Sequence, residues 1–368
     1  MPDTDPRNEP WSPWTTYPDR VIDLHELGVL INYERASTDH RFRHIKLREV
    51  ATISDFTTIK CSAIEWTTSP NHRLGLVYDK RPAQPAGDNE NPEPDLITNM
   101  VNDPIPPLLR HLTTRDLETF YWRTRHHDAS QVTAVILQHF FDLFPPYTRV
   151  RIRTMAPVIP STRQLQPVSP RDAPINPPKH IYYSTLVSDR KVIEFQITNP
   201  KQRTVIAVLP GSKPFITGGY GPIKHTILGF GPPASPIETV YDLTSMQFGE
   251  EGKGNKRKGL FVLEPIQDYV GIRLPKMVES HTMSEAKLLD RVEFDVNDIH
   301  LIDVARRVKT RWQRRKEIPF CAYCGAPPEH GKDMAKCSAC KLDHYCNEEH
   351  QRNAWPFHKL FCDPTNRY

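Results

Sequence analysis

Cysteine is nearly missing from the first 320 residues of this chain. Cys61 stands alone there, and the other six of the seven cysteines lie between 321 and 362. Such clustering excludes a disulfide framework spread over a secreted fold. Long hydrophobic runs are missing too. Nothing approaches the ~18 consecutive apolar residues of a membrane span, and the start, Met1-Pro-Asp-Thr-Asp-Pro-Arg, has neither a charged n-region nor an apolar h-region. A soluble chain outside the usual secretory route is expected, nuclear or cytoplasmic, with no membrane partner. Neither sign of charge dominates, since 48 Lys/Arg face 44 Asp/Glu for a formal +4. Hydrophobic residues are only 38%, whereas proline reaches 36 of 368, about twice its usual ~5% share. Proline at that density excludes a helical bundle. A chain of 368 residues allows about two domains.

What the cysteines do is legible in their spacing. Cys321-x2-Cys324 and Cys337-x2-Cys340 are paired knuckles, each placing two thiolates on one tight turn. Cys346-x3-His350 and His358-x3-Cys362 follow, each pair one helical turn apart, so that each can offer one face of a short helix to an ion. Eight ligands make two tetrahedral sites of three Cys and one His, and zinc is the metal such sets take. Six thiolates and two divalent ions lower the formal +4 to about +2, and the finger, with equal numbers of acidic and basic residues, comes to about −2. A DNA-reading finger would be basic. Spacing leaves sequential and interleaved sites open, with His330 and His344 as spare donors.

In order and spacing, these ligands together with Tyr345, Gln351 and Trp355 resemble the MYND-type zinc finger, over about an eighth of the chain. Two departures stand out: His350 replaces the usual Cys, and twelve residues between Cys324 and Cys337 make a long loop. The resemblance implies a cross-brace, with Cys321, Cys324, Cys346 and His350 on one structural Zn2+ and Cys337, Cys340, His358 and Cys362 on the other. It also implies a protein-protein interaction adaptor for proline-rich peptides of the Pro-x-Leu-x-Pro or Pro-Pro-Leu-Ile kind, with transcriptional regulation as its setting. Ser338, Gln351 and Trp355 occupy the groove positions. A polyproline-like strand is already extended and loses little entropy on docking. Trp355 reads equally as the core of a tiny domain.

The rest is read as an α+β fold: a Pro-rich tail over 1–19, an α+β domain with a largely antiparallel sheet over 20–295, a basic amphipathic connecting helix over 296–318, and the finger over 319–364. Pro-rich loops are expected at 82–107, 157–178 and 210–236, with 82–95 disordered. Helices are expected at 116–123 and 130–144, the second capped by Ser130 with Val132, Val135, Ile136, His139 and Phe140 on one face. Strands are expected at 150–155, 180–186, 192–198, 204–209, 225–230 and 239–243, and further helices near 266–290 and 297–316. The last carries Ile299, Ile302, Ala305, Val308 and Trp312 along one stripe, and its basic residues at 306–316 read as a solvated face ahead of a nuclear-import or nucleic-acid-contacting patch, with a membrane-surface role last.

Other readings compete. His225 opening a strand and Asp242 in the next resemble the His and Asp of papain-like or transglutaminase-like folds. The nucleophile is the weak point, because Cys61 lies in an alternating, strand-like run at 59–64 without a helix N-terminus to lower its pKa. An inactive relative serving as a scaffold is favoured over an active enzyme. A SET methyltransferase is not expected, because only six residues and no further cysteine cluster follow Cys362. The glycines at 249, 252 and 254 lack the Walker spacing and read as a mobile basic loop. Ile105-Pro-Pro-Leu-Leu109 resembles the finger's own ligand, although Leu108 and Leu109 packing as a local helical turn behind Pro106 and Pro107 is preferred.

Overall fold

A computed structural model describes residues 21–52, 54–67, 73–80, 100–102, 104–158, 180–211, 214–217, 221–289, 291–292, 298–329 and 331–365. The tail, the stretch 82–95, most of 157–178 and His330 lie outside the described residues. The chain is α+β. Its strands in order are β1 (Ile22–Asp23), β2 (Ile45–Ala51), β3 (Arg73–Lys80), β4 (Arg149–Met155), β5 (His180–Leu186), β6 (Lys191–Pro200), β7 (Arg203–Leu209), β8 (Phe215–Ile216), β9 (Ile223–Phe230), β10 (Thr239–Asp242), β11 (Val262–Pro265), β12 (Val278–Leu289), β13 (Ala335–Lys336) and β14 (His344–Tyr345). The longer helices are α1 (Leu24–Thr38), α2 (Thr114–His126), α3 (Ser130–Asp142), α4 (Ile299–Gln313) and α5 (Glu348–Phe361).

Among the described residues three sheets build the N-terminal body, ordered β11-β10-β9-β6-β12, β2-β3-β7-β8 and β1-β4-β5. Their pairing is antiparallel except β1 with β4 and β3 with β7. Helix α1 runs through the middle, and twelve of its fifteen residues are buried. Asp23 starts it by accepting from the backbone N–H groups of His25 and Glu26, which satisfies two donors the helix leaves unpaired. This helix and strands β2 and β3 were not anticipated. Leu27 to Ile31 is apolar all round, so no amphipathic period marks it. Helix α2 starts with a reciprocal capping box, Thr113 with Asp116.

Several expectations need correction. Ala129, not Ser130, caps α3; the Ser130 hydroxyl donates to the Lys224 carbonyl instead. The face of α3 holds for Val135, Ile136 and Phe140, while Val132 and His139 are half-buried. The helix expected near 266–290 forms over residues 266–277, with a π-helical middle, and then gives way to the long strand β12, because pairing with the edge of β6 from Val278↔Pro200 onward supplies a ladder that propensity did not foresee. Residues 59–63 are coil leading into a helical turn at Ile64–Thr67, not a strand. The glycine loop links β10 to β11 and is pinned: Gly252 abuts the Ser245 backbone and Lys253 is buried, bonding Thr119. Residues 107–109 form the expected helical turn with Leu109 buried, but Leu108 points outward.

Helix α4 packs between α1 and α3 on Leu301, Val304, Ala305, Val308 and Trp312, whereas Ile299 is exposed and Ile302 half-buried. Of the basic residues at 306–316, Arg306, Arg307, Arg314 and Lys316 are exposed, which is the solvated face, and others reach inward. Arg307 and Arg311 pair with the buried Glu34, and Lys309 donates to the Leu143 carbonyl. No helix among the described residues is long and apolar enough to cross a membrane.

Candidate metal centre

Each cysteine knuckle is closed by a residue with positive φ, Gly325 at +78° and Lys341 at +62°. Gly325 N–H donates to the Cys321 carbonyl and Lys341 N–H to that of Cys337, turning the chain back so that both thiols of a knuckle face one point. Strands β13 and β14 form a short hairpin that carries the second knuckle, and Cys321 bridges to His344 beside it. Asn347 caps α5 by accepting from His350 N–H at 2.8 Å, which fixes the imidazole in the first turn. The two i, i+4 pairs sit at opposite ends of this one helix, with Cys346 and Cys362 just outside it.

The donor atoms gather into two groups, each within 4.8 Å: Cys321, Cys324, Cys346 and His350, and Cys337, Cys340, His358 and Cys362. This is the interleaved arrangement. A tetrahedral zinc with Zn–S of ~2.3 Å and Zn–N of ~2.0–2.1 Å has S···S edges of ~3.8 Å and S···N edges of ~3.6 Å. Four observed separations lie within about 0.2 Å of these edges, 3.7 Å for Cys324 to Cys346, 3.9 Å for Cys337 to Cys362, 3.4 Å for Cys321 to His350 Nδ1 and 3.6 Å for Cys340 to His358 Nε2, while Cys337 to His358 Nε2 is shorter at 3.2 Å.

Packed against one another, the donors differ in acidity. Contacts with Cys321 and Cys346, then burial, push the Cys324 thiol well above its ordinary value. Burial would raise Cys321 as well, but contacts with Cys324, Cys346 and His350 outweigh it and hold that thiol well below. Burial would depress the His350 imidazole, yet the Cys321 and Cys346 sulfurs and Glu118 lift it to about 12. Crowded sulfurs that cannot all ionise together fit a divalent cation that neutralises them.

Behind each histidine stands a carboxylate. His358 turns Nδ1 to Asp343 at 2.6 Å, and His350 turns Nε2 to Glu118 on α2 at 3.2 Å. Such partners fix which nitrogen is free to ligate. Neither acid was anticipated, and no ligand spacing marks them. His344 lies outside both groups, with its carbonyl accepting from Ala322 N–H.

The finger is docked on the N-terminal body. His25 stacks on Phe357 with centroids 3.9 Å apart and planes at 10°, and the Arg153 guanidinium lies over the Phe361 ring at 5.0 Å. Tyr323 donates to the Lys258 carbonyl, and Arg311 Nη2 to the Gly325 carbonyl. Away from this seam, Ser338 is exposed, Gln351 half-buried and Trp355 43% exposed.

Of the three enzyme-like residues, two meet. His225 Nε2 lies 2.9 Å from Asp242 Oδ2, and both side chains are wholly buried. Burial would raise the Asp242 carboxyl, but His225, the Thr244 N–H and the Tyr269 hydroxyl outweigh it and hold it below its ordinary value. The other ring nitrogen of His225 faces the Gln247 amide at 3.3 Å. Cys61 lies in coil and packs in a separate apolar cluster with Trp66, Val205 and Ile216.

Comparison with known proteins bears on the C-terminal segment. The MYND finger family matches residues 321–362. The bovine (Bos taurus) N-lysine methyltransferase SMYD2 is 48% identical over 44 residues, 12% of this chain and 10% of that protein. The MYND-type zinc finger protein samB of Aspergillus clavatus is 34% identical over 64 residues, 17% of this chain and 11% of that protein. The chain thus spans about a tenth of the length of these relatives, and the likeness to the methyltransferase covers the finger alone. No solved structure matches. With the family's ligand order in two Cys3His clusters of tetrahedral dimensions, residues 321–362 are a MYND finger, a protein-interaction domain built on two structural Zn2+ ions.

Proposed function

We propose that the chain is a zinc-dependent adaptor that captures proline-rich segments containing leucine through Gln351 and Trp355 on α5 and Ser338 in the second knuckle. The supporting observation is the exposure of Trp355. A large aromatic left 43% exposed, one turn from Gln351, on a helix whose Phe357 and Phe361 are turned into the seam, is a docking platform and not a core residue. The eight cysteines and histidines of the two clusters are the zinc ligands, His350 through Nδ1 and His358 through Nε2. All four positions of each ion are filled by protein, so the metals hold structure and leave no site for catalysis.

The N-terminal body is a non-catalytic scaffold in this reading. Both ring nitrogens of His225 are engaged and neither it nor Asp242 reaches solvent, which suits a structural pair. The adaptor works inside the cell, in the nucleus or the cytoplasm, where thiols stay reduced and available to zinc. Calorimetry with the full-length zinc-loaded protein and a Pro-x-Leu-x-Pro peptide tests the proposal. Trp355→Ala should weaken binding more than about tenfold, as aromatic anchors do, with both zincs retained. Equal affinity of wild type and variant would remove Trp355 from the site.

A further inference from the structure

The two zinc sites differ in where their supporting carboxylates come from. Asp343, behind His358, belongs to the finger and lies three residues from a ligand of the same ion. Glu118, behind His350, belongs to α2 of the N-terminal body, more than 200 residues away in the chain. Its side chain is only 7% exposed, and its Oε1 has no other polar partner among the described residues. The 3.2 Å approach is less well directed than a straight hydrogen bond. A buried carboxylate oxygen facing a single imidazole nitrogen is there for that nitrogen.

We propose that the first zinc ion is a joint: Glu118 is a positioning residue for His350, so that zinc at Cys321, Cys324, Cys346 and His350 and the docking of the finger on α2 stabilise each other. The inference rests on His350 being a ligand through Nδ1. With Nδ1 on the metal, Nε2 carries the proton and points at Glu118. The departure from the family pattern acquires a purpose here, since a cysteine at 350 would complete the zinc site but have no second group to offer α2. Two further contacts of the same knuckle reach the body. Gly325 lies so close to α1 that a Cβ would stand 2.3 Å from the Val29 carbonyl oxygen, and Tyr323, whose ring faces His350 at 5.0 Å, bonds the Lys258 carbonyl. Linkage makes the effect reciprocal, because whatever raises zinc affinity through docking must raise docking through zinc by the same factor. The consequence is a finger held at a fixed angle, with its Gln351 and Trp355 face turned out.

The test uses full-length zinc-loaded protein, with zinc counted by native mass spectrometry, release timed with a chromogenic chelator, and hydrogen exchange read in Thr114–His126. In the wild type, withdrawing the first zinc should speed exchange in that helix. Glu118→Gln, which preserves size, should weaken one of the two zincs about 10–100-fold and leave the other. Asp343→Asn should weaken the opposite one. His350→Cys should keep two zincs while uncoupling them from α2, so that adding Glu118→Gln to it no longer changes zinc release. Wild-type release from Glu118→Gln, or an equal loss in the His350→Cys background, would overturn the joint while leaving the ligand assignment standing. Two zincs held at wild-type affinity by His350→Ala would overturn the ligand assignment itself, and the joint with it.

Discussion

Two glycines of the finger provide a controlled measurement of how firmly it is docked. Gly325 and Gly331 have nearly the same φ, +78° and +76°. Alanine at either position must adopt the left-handed region, at about 1–2 kcal/mol, and the gain from a less flexible unfolded chain is common to both. Their surroundings differ. A Cβ on Gly331 meets nothing within 4 Å, whereas one on Gly325 would stand 2.3 Å from the Val29 carbonyl oxygen and 2.7 Å from Tyr33 Cβ. Those atoms belong to α1, the most buried helix, and have little room to retreat. The clash therefore has to be relieved by moving the knuckle off the helix, an overpacking of about 1–3 kcal/mol beyond the backbone term. We expect Gly331→Ala to lower stability by about 1–2 kcal/mol and Gly325→Ala by about 2–5 kcal/mol. Urea unfolding of the zinc-loaded full-length variants measures the difference, and hydrogen exchange locates it in α1. Equal losses in the two variants would refute a finger seated on α1.

Two further outcomes follow from the body. Leu109 is 2% exposed and Leu108 65%, so Leu109→Ala should cost about 2–5 kcal/mol in thermal or urea unfolding and Leu108→Ala less than about 0.5 kcal/mol; the reverse order would mean that Leu108 is the buried anchor of a self-docked ligand. Asp23 is buried, and burial would raise its carboxyl, but Arg153 and Arg151 outweigh that and hold it below its ordinary value. A depressed carboxylate pKa gives stability that is complete above the unfolded value of ~3.9 and is lost as pH falls toward the folded value. Asp23→Asn keeps an acceptor for the helix cap, and because both arginines are partly exposed it should cost only about 1–3 kcal/mol at pH 7. The deficit should shrink as pH falls below ~4, and a deficit independent of pH from 7 to 3 would show that Asp23 acts through packing alone.

The finger was readable because zinc chemistry is local. A Cys-x2-Cys knuckle works only as one turn and an i, i+4 pair only at that helical spacing, so the eight ligands follow from short intervals of sequence, whereas their interleaved grouping came from the family resemblance and is seen only in the structure. Strands β4 to β7, β9 and β10 were readable for a similar reason: Ile, Val, Tyr and Thr bracketed by turn residues announce a pleated, half-buried segment, whereas the two-residue β8 fell inside the Pro-rich loop expected at 210–236. Helix α1 was not, since a helix buried on nearly every side carries no stripe to detect. Strand β12 was not, since its partner β6 ends almost eighty residues earlier and only the pairing makes it a strand.

What held the two halves together lay beyond any local pattern. Glu118, Val29, Lys258 and Arg311 each touch the first knuckle or its histidine from a different element, and in the sequence each is an ordinary residue. One signal did exist, and its meaning emerges only in three dimensions. His350 departs from the family's usual cysteine, and spacing alone frames that as a question about the metal. Thiolate and imidazole both complete a tetrahedral site, so the metal alone gives no reason to prefer histidine. Imidazole differs in having a second nitrogen, protonated when the first binds zinc and able to engage one further acceptor. A substitution neutral toward the ion but gaining a donor is explained by what that donor faces, and it faces the buried Glu118 carboxylate of another part of the chain.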